Sequence, residues 1–294
     1  MSQVWLITGS SRGFGKALAE AVLAAGHRLV ATARQPVQLE ALAQRYGDQV
    51  RTVALDVTDA VAAQNAVQAA VDAFGRLDVV VNNAGYGNLA TVEEGSDDDF
   101  RAQMETNFFG TVNVTRAALP VLRRQRSGHI VQFSSIGGRI GVPGMAAYQS
   151  AKWAVEGFSE VLAKEVSAFG IKVTLVEPGG FRTDWGGPSM TVYAPSTDSE
   201  YAAVLAPMMA MRKQHAGNET GDPDKAAQAI LSIAGIPQPP LRLLLGSDAV
   251  YLAGQQAAKM ATEDAQWRAL SLSTDFDLSP QAAEERDRML RAVI

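Results

Sequence analysis

The sequence contains no cysteine and only three histidines in 294 residues. Without cysteine the chain can form no disulfide, use no thiolate nucleophile and build no cysteine-ligated zinc site. The three histidines, His27, His129 and His215, are too scattered to share the short spacing of metal-binding pairs. We therefore expect no metal site.

Long hydrophobic runs and a surplus of positive charge are also lacking. The first apolar run, Val4 to Ile7, reaches Gly9 too soon for a signal peptide or a transmembrane helix. The formal net charge of −5 gives no general attraction to nucleic acid or anionic lipid. These features predict a cytoplasmic protein that has neither nucleic acid nor a membrane among its partners.

What the chain has in quantity is apolar sequence, and its first segment reads as strand, turn and helix. Hydrophobic residues make up 47% of the chain, enough for a substantial core. Val4 to Ile7 predicts a strand, Thr8 to Gly15 a glycine-rich turn, and Lys16 to Ala25 a helix. Such a turn lets backbone N–H groups and the helix N-terminus face a phosphate. A purely structural glycine turn is the alternative, but a second strand over Arg28 to Ala33 completes a βαβ unit and favours nucleotide binding.

Further apolar runs follow, each leading into polar or small residues. Strands are predicted to end just before Asp56, Asn82-Asn83-Ala84-Gly85, Ser134-Ser135 and Pro178-Gly179. Thr58 is predicted to cap the helix that follows Asp56. In open α/β sheets ligands bind at these carboxyl ends. We predict an α/β fold with a Rossmann-type doubly wound parallel sheet in three layers. It forms one domain over residues 1–246, and a helical C-terminal extension over 247–294 packs on the same domain.

Tyr148 and Lys152 stand four positions apart in a predicted helix, so that both side chains project from one face. A phenol needs about 3 pKa units, or about 4 kcal/mol, of phenolate stabilisation to act as a base near neutrality. An ammonium about 4 Å away supplies about that much at an effective dielectric near 20. The alternative is a chance pair on a helix surface.

Several motifs occur together and in order. They are Thr-Gly-x-x-x-Gly-x-Gly at Thr8 to Gly15, Asp56-Val57, Asn82 to Gly85, Asn107, Ser135, Tyr148-x-x-x-Lys152 and Pro178-Gly179. On these residues the sequence resembles the short-chain dehydrogenase/reductase (SDR) family from about residue 4 to 245. The resemblance implies an oxidoreductase that interconverts a carbonyl and an alcohol with a nicotinamide cofactor.

The resemblance also assigns catalytic roles. Tyr148 matches the acid/base, Lys152 the residue that lowers its pKa and holds the nicotinamide ribose, and Asn107 the asparagine whose backbone carbonyl holds a proton-relay water. Family spacing places the serine that binds the substrate oxygen thirteen residues before the tyrosine, which selects Ser135 over Ser134. Asn107 could otherwise be a plain buried polar group.

Cofactor-binding residues follow from the same resemblance. They are Gly9, Ser11, Arg12, Gly13, Phe14 and Gly15 in the glycine loop, Asp56 and Val57 near the adenine, Asn83, Ala84 and Gly85 near the ribose, Tyr148 and Lys152, and Pro178, Gly179, Phe181 and Thr183 near the nicotinamide. Asn83 could instead be structural, and Asp56 could simply close a strand.

The residues that end the second strand predict the cofactor. NAD-preferring relatives usually have an acidic residue there for the ribose 2′-hydroxyl, whereas this chain has Ala33 followed by Arg34. Arg34 and Arg12 could hold a 2′-phosphate by charge-assisted hydrogen bonds, so NADP(H) is predicted. The alternative is two solvated surface arginines.

The segment at about 185–216 corresponds to the family's mobile lid and is rich in methionine and aromatic residues. An apolar lid predicts a bulky apolar ketone or secondary alcohol as the small-molecule substrate. The same residues could instead form a helix packed on the protein's own core. A catalytically silent nucleotide-binding sensor is the alternative function, and intact Ser135, Tyr148 and Lys152 argue against it.

Assembly is the last expectation. In many SDR relatives the two long helices after the fourth and fifth strands pair across a two-fold axis. Here they carry Phe108, Phe109, Val112, Trp153, Phe158 and Leu162. A homodimer or homotetramer is predicted, with the dimer preferred because the C-terminal extension could block a second interface.

Overall fold

The structure is a computed structural model that describes residues 2–186, 190–196 and 198–293. The chain forms two compact units, Met1–Ala253 and Gly254–Ile294. The first unit is built on a parallel sheet, and the second is helical.

Seven parallel strands form the sheet of the first unit, in the order β3-β2-β1-β4-β5-β6-β7. The strands are β1 (Val4–Ile7), β2 (Arg28–Ala33), β3 (Val50–Ala54), β4 (Val79–Asn82), β5 (Gly128–Phe133), β6 (Ile171–Pro178) and β7 (Arg242–Leu245). The central strands are continuous apolar runs because both faces of a parallel sheet are covered. The predicted doubly wound sheet is confirmed.

The helices are α1 (Gly13–Ala24), α2 (Glu40–Tyr46), α3 (Ala60–Phe74), α4 (Asp97–Met104), α5 (Gly110–Gln125), α6 (Ala146–Val166), α7 (Tyr201–His215), α8 (Pro223–Ala234), α9 (Ser247–Leu272) and α10 (Pro280–Val293). Within the first unit, α1, α3, α5, α6 and α8 flank the sheet. Side chains of β1 alternate between the two layers: Trp5 and Ile7 pack with α1 and α8, whereas Val4 and Leu6 pack with α3 and α5. This alternation produces the three layers.

The strand order reverses at β1, which pairs with β2 on one side and with β4 on the other. The chain therefore leaves the sheet edge after β3 and returns beside β1. The loops after β1 and β4 diverge at this point, and they form a crevice at the carboxyl end of the sheet. Thr8 and Asn83 stand at its two sides.

One local expectation is wrong. Asp59, and not Thr58, caps α3: its Oδ1 accepts hydrogen bonds from the backbone N–H groups of Val61 (2.8 Å) and Ala62 (3.0 Å). The Thr58 hydroxyl instead donates to Asp56 at 2.7 Å. Both residue types can cap a helix, and the tight turn after β3 decides which of them stands at the N-cap.

The second unit contains most of α9, which begins in the first unit, and all of α10. Its apolar side chains Trp267, Phe276 and Met289 are exposed. Within the described residues, no helix combines the length and the apolarity that crossing a membrane requires.

Candidate active site

Tyr148 and Lys152 project from the first two turns of α6 into the carboxyl end of the sheet, and both are almost fully buried. The Lys152 Nζ atom lies 5.5 Å from the centre of the Tyr148 ring and donates a 2.7 Å hydrogen bond to the Phe133 carbonyl. The predicted pair is thus held in one buried place, and its lysine is anchored to the end of β5.

Burial dominates the protonation of both groups. It raises the pKa of Tyr148 to about 12, while a hydrogen bond with Ser135 acts in the opposite direction. Burial also lowers the pKa of Lys152 to about 8, and the negative charge of Glu156 opposes that shift. The pKa shift of Tyr148 is opposite to the one expected from Lys152, because burial removes water from the phenol and disfavours the charged phenolate.

The two serines at the end of β5 point to different places. Ser135 is half-buried at the start of a short 3₁₀ turn, Ile136–Gly138, and its Oγ accepts a 3.0 Å hydrogen bond from the Gly137 N–H. Ser134 is buried, and its Oγ lies near Gly138 without a partner among the described residues. Ser135 is therefore the serine that shares a hydrogen bond with Tyr148.

Asn107 lies in a π-helical turn, Glu105–Phe109, between α4 and α5. Its side-chain amide donates to the carbonyls of Tyr86 (2.9 Å) and Gln103 (2.8 Å), and its Oδ1 accepts from the Tyr86 N–H. A Cβ atom on Gly85 would lie 2.5 Å from this Oδ1 and 3.7 Å from Lys152 Nζ. Asn107 and Lys152 thus approach the same glycine from two sides.

The glycine loop between β1 and α1 leaves its backbone open to an anion. Gly9 and Gly13 have positive φ angles of 69° and 52°, and a Cβ on Gly15 would overlap the Gly9 carbonyl. Arg12 stands at the N-cap of α1, and no side chain in the described part of the chain caps this helix. Its first N–H groups are available to a phosphate, so the loop fits the pyrophosphate of a dinucleotide.

Arg12 and Arg34 are both exposed near this loop. The Ser10 N–H donates to the Thr32 carbonyl at 2.8 Å. Arg12 comes two residues after Ser10, and Arg34 comes two residues after Thr32. Neither guanidinium forms an ion pair with the residues that the structure describes. The pKa of Asp56 is lowered mainly by its hydrogen bond from the Thr58 backbone, with a small contribution from Arg34. Among the described residues, Arg34 and Asp56 thus follow the ends of the neighbouring strands β2 and β3, and Arg12 follows the loop that is hydrogen-bonded to β2.

Asn83 ties the two sides of the crevice together. Its Nδ2 donates to the carbonyls of Thr8 (2.9 Å) and Gly9 (3.2 Å), and its backbone N–H donates to Thr8 Oγ1 at 3.0 Å. The Ala84 N–H uses the same hydroxyl. These contacts favour the structural role left open for Asn83. They also make Thr8 a positioning residue that the sequence analysis did not single out.

The loop after β6 approaches the glycine loop. The Phe181 ring lies 4.9 Å from that of Phe14, and Thr183 is within 3.5 Å of the place where a Cβ of Gly13 would stand. Pro178 ends β6, and Gly179 is hydrogen-bonded to β7. The residues expected around the nicotinamide are therefore brought beside those expected around the pyrophosphate. Val57 is buried against Gly110 on the other side of the crevice.

Apolar side chains surround Tyr148. The buried members of this cluster are Leu89, Met145, Tyr148 and Leu205, and the partly buried ones are Val142, Trp185, Met190, Val192, Met208 and Met209. The Trp185 ring lies 5.0 Å from the Tyr148 ring. Backbone hydrogen bonds join Leu89 to Thr191 and to Tyr193. The predicted lid segment thus packs on Tyr148, although its positions 187–189 and 197 lie outside the described residues.

The sequence analysis missed a group of buried charges next to this site. Glu156 and Glu177 are buried, and they form ion pairs with Arg242 and Arg139. One signal was visible: Lys152, Glu156 and Glu160 recur every four residues, which places them on one face of α6.

Comparisons with known proteins agree with this geometry. The short chain dehydrogenase family model matches residues 3–191. Oxidoreductase BOA17 of Botryotinia fuckeliana is 52% identical over 275 residues, which cover 93% of this chain and all of that protein. The 3-ketodihydrosphingosine reductase of Bacteroides thetaiotaomicron is 37% identical over 244 residues, which cover 83% of this chain and 88% of that one.

Solved structures give the same result. A short-chain dehydrogenase from Streptomyces avermitilis matches with a TM-score of 0.86 and 39% identity, over 94% of this chain and all of that chain. An alcohol dehydrogenase from Thermococcus sibiricus, complexed with 5-hydroxy-NADP, matches with a TM-score of 0.67 and 27% identity, over 83% of this chain and 96% of that one. The match in motifs, fold and sequence means that this chain is an oxidoreductase of the short-chain dehydrogenase/reductase family.

Proposed function

We propose that this oxidoreductase interconverts a bulky apolar carbonyl compound and its alcohol with NADP(H). One observation carries the proposal: the Ser135 hydroxyl, the Tyr148 phenol and the Lys152 ammonium meet at the carboxyl end of the sheet, beside an uncapped helix N-terminus. A proton donor and an oxygen-binding hydroxyl are what carbonyl reduction requires from the protein.

The cofactor supplies hydride transfer when it is bound. The glycine loop from Gly9 to Gly15 would hold its pyrophosphate, and Phe181 and Thr183 would stand near its nicotinamide. Arg12 and Arg34 would bind a 2′-phosphate, since both are exposed and neither is used in an ion pair among the described residues. The NADP analogue in the Thermococcus sibiricus alcohol dehydrogenase supports this choice.

Tyr148 is the proton donor in this mechanism. With a pKa near 12 it keeps its proton throughout the neutral range, which is the form that donates to a carbonyl oxygen during reduction. Ser135 would bind the same oxygen through its hydroxyl. Lys152 would place a positive charge beside the developing phenolate, and the Asn107 carbonyl would hold the water that returns a proton to the site.

Because burial raises the pKa of Tyr148, the rates of alcohol oxidation and carbonyl reduction should depend differently on pH. Alcohol oxidation needs the phenolate, so its rate should rise by about tenfold per pH unit until another group becomes limiting. Carbonyl reduction needs the phenol, so its rate should stay level as long as Lys152 remains charged. Measuring both directions from pH 6 to pH 9 tests this assignment.

The substrate class rests on the wall around Tyr148. Trp185, Met208 and Met209 are apolar, and the two methionines are adaptable, which suits a bulky ketone better than a sugar or a charged acid. The similarity to a 3-ketodihydrosphingosine reductase supports a long apolar ketone. In a series of ketones, kcat/KM should rise with apolar size by up to about tenfold for each 1.4 kcal/mol of burial. Better turnover of small polar carbonyls would reject this substrate class.

The decisive experiment is Tyr148→Phe, measured with NADPH and a panel of ketones. The change removes the proton donor and keeps the ring, so kcat should fall by at least about 10²- to 10⁴-fold while NADPH still binds. Near-normal turnover by the variant would contradict the mechanism. A wild-type protein that binds NADPH but turns over no carbonyl compound would favour the alternative of a nucleotide sensor.

A further inference from the structure

A cluster of five charged side chains lies next to Lys152, one to two helical turns further along α6. It consists of Glu156 and Glu160 on α6, Glu177 on β6, Arg242 on β7 and Arg139 after the 3₁₀ turn that follows β5. None of these residues has a role in the mechanism described above. Their contacts are close and mutually dependent.

Arginines hold all three carboxylates. Arg139 donates two 2.7 Å hydrogen bonds to the two oxygens of Glu177. Arg242 donates from Nε to Glu156 at 2.9 Å and from its terminal nitrogen to Glu160 at 2.7 Å. The Nε of Arg242 is also 4.0 Å from Glu177. Bidentate and forked contacts of this kind fix the carboxylates in place.

The cluster contains one more acid than base. Glu177 and Glu156 are buried, whereas the Glu160 side chain is 44% exposed. The Oε2 of Glu156 accepts the Arg242 bond, but its Oε1 has no partner among the described residues. A buried carboxylate requires a compensating charge. Lys152 stands one helical turn away on the same face of α6, and its ammonium interacts electrostatically with Glu156.

Among the described residues, Lys152 in turn has little other compensation for its positive charge. Its ammonium donates to the neutral Phe133 carbonyl and is almost completely removed from water. A buried ammonium that has only a neutral hydrogen-bond acceptor tends to lose its proton. The negative charge of Glu156 is the influence that opposes this loss.

We propose that Glu156 is a positioning residue that acts through Lys152: its buried carboxylate, fixed by Arg242, keeps the Lys152 ammonium charged beside Tyr148. This proposal rests on the proposed function, because the proposed function is what gives the Lys152 charge a use in proton transfer. The other titratable group that faces Glu156 from the sheet is Glu177. Burial raises the pKa of Glu177, and Glu156 acts in the same direction, whereas the hydrogen bonds that Arg139 donates to Glu177 oppose the rise.

The first test needs neither substrate nor cofactor. In protein with ¹³C-labelled lysines, the Cε signal of Lys152, assigned with a Lys152→Met variant, gives the pKa of this ammonium directly. Glu156→Gln should lower the midpoint by about one pH unit, the size expected for a charge one turn away that Arg242 partly offsets. Glu156→Asp should restore most of the wild-type value because it keeps the charge.

Glu160→Gln is the matched control. Glu160 binds the same arginine from the next turn of the same helix, but it is partly exposed, so its charge should shift the Lys152 midpoint little. If Glu156→Gln does not fold, Glu156→Met removes the same charge at similar length. A Lys152 midpoint that is equal in wild type and in the folded charge-removing variant would overturn the proposal, as would an equal shift in Glu160→Gln.

The second test is the pH profile of carbonyl reduction. In Glu156→Gln the alkaline decline of kcat should begin about one pH unit lower than in wild type, which is about a fivefold loss at pH 8. A uniform loss at all pH values would indicate a merely structural role and overturn the proposal. If wild type reduces no carbonyl compound, the proposed function fails, but the labelled-lysine titration still decides whether Glu156 controls Lys152.

Discussion

Ser134 and Ser135 show how two identical neighbouring side chains acquire different uses. β5 ends at Phe133, and the chain then turns, so Ser135 faces the pocket while Ser134 is directed into the protein near Gly138. Only Ser135 shares a hydrogen bond with Tyr148. The family spacing pointed to Ser135, and the burial of Ser134 supplies the physical reason.

The first prediction concerns this pair. Ser135→Ala should lower kcat for carbonyl reduction by about 10²-fold, because a donor to the developing oxyanion is lost. Ser134→Ala is the matched control and should change kcat by less than about threefold, since its hydroxyl is outside the pocket. Single-turnover kinetics with NADPH compare the two. Equal losses in both variants would reject the assignment of Ser135.

The second prediction concerns Arg12 and Arg34. The double variant Arg12→Ala/Arg34→Ala should lower kcat/KM for NADPH by about 10²-fold or more and leave that for NADH nearly unchanged, because only NADPH carries the 2′-phosphate. Arg123→Ala, an exposed arginine at the end of α5, is the control and should affect neither cofactor. A wild-type enzyme that prefers NADH would contradict the cofactor assignment.

Among the elements, the helix that follows the glycine loop depends on a close approach to its neighbours. At Gly15 in α1 a Cβ would overlap the Gly9 carbonyl and lie 2.5 Å from Asn83 Nδ2. Those two groups also hold the loop to β4. The absence of a side chain at Gly15 therefore lets α1 begin directly against the sheet.

The third prediction follows from this contact. Gly15→Ala should lower the free energy of unfolding by about 1–3 kcal/mol and weaken NADPH binding, because backbone must move to admit the methyl group. Gly254→Ala in α9 is the control: no atom of the residues that the structure describes lies within 4 Å of its Cβ position, so helix propensity alone should add up to about 1 kcal/mol. Urea unfolding and NADPH titration measure both. Equal stability of the two variants would contradict the close packing at Gly15.

The π-helical turn at Asn107 is a second element with a local cause. The Gly110 N–H bonds the Glu105 carbonyl instead of the carbonyl four residues back, so the regular helical ladder is interrupted where Asn107 projects. The amide of Asn107 holds the Tyr86 backbone at this interruption.

At the scale of the whole molecule, a buried histidine makes the free energy of unfolding depend on pH below neutrality. His129 on β5 is buried, its Nε2 is 2.9 Å from the Thr174 hydroxyl, and burial lowers its pKa to about 4. The unfolded chain binds this proton below about pH 6.5, whereas the folded protein binds it only below about pH 4. Unfolding therefore takes up a proton between these values, and stability falls as the pH decreases through this window.

The fourth prediction is that this histidine contributes a loss of about 3 kcal/mol in the free energy of unfolding between pH 6.5 and pH 4. His129→Gln should remove that part of the pH dependence while keeping a partner for Thr174. Urea unfolding at pH 7, 5.5 and 4.5 measures it. His27→Gln, which alters a half-buried histidine, should remove a smaller part of the pH dependence. The same pH dependence in wild type and in His129→Gln would contradict the assignment to His129.

Exposed apolar residues on α6 and just before α5 bear on assembly. Trp153 is 47% exposed and Val161 57%, and Phe109, just before α5, is 44% exposed, whereas Leu162 is buried against the sheet. Part of the predicted interface set is thus free to meet another copy. The dimer, and the packing of the C-terminal extension over 247–294 on the same domain, remain predictions.

The fifth prediction is a homodimer that Trp153→Glu converts to a monomer. A charge at the centre of an apolar interface is costly to bury, so dissociation should be nearly complete at micromolar concentration. Val92→Glu, which alters a 79% exposed residue outside these helices, should leave the dimer intact. Light scattering measures both variants, and a monomeric wild-type protein would rule out the prediction.

The sequence by itself determined the parallel sheet, the glycine loop and the placing of Tyr148 and Lys152. Each of these depends on local pattern: apolar runs give buried strands, glycine gives positive φ angles, and a spacing of four puts two side chains on one helix face. These patterns can be read without knowing any distant neighbour, and family resemblance then attached roles to their residues.

Only the tertiary structure decided which distant groups meet. Asn83 binds the backbone 75 residues earlier, and Arg242 binds Glu156 across 86 residues. It also decided the protonation of Tyr148, whose pKa rises because Trp185 and its neighbours exclude water from the ring. Spacing brings a lysine beside a tyrosine, but burial depends on every element packed around the pair, and in this site burial has the larger effect on the phenol.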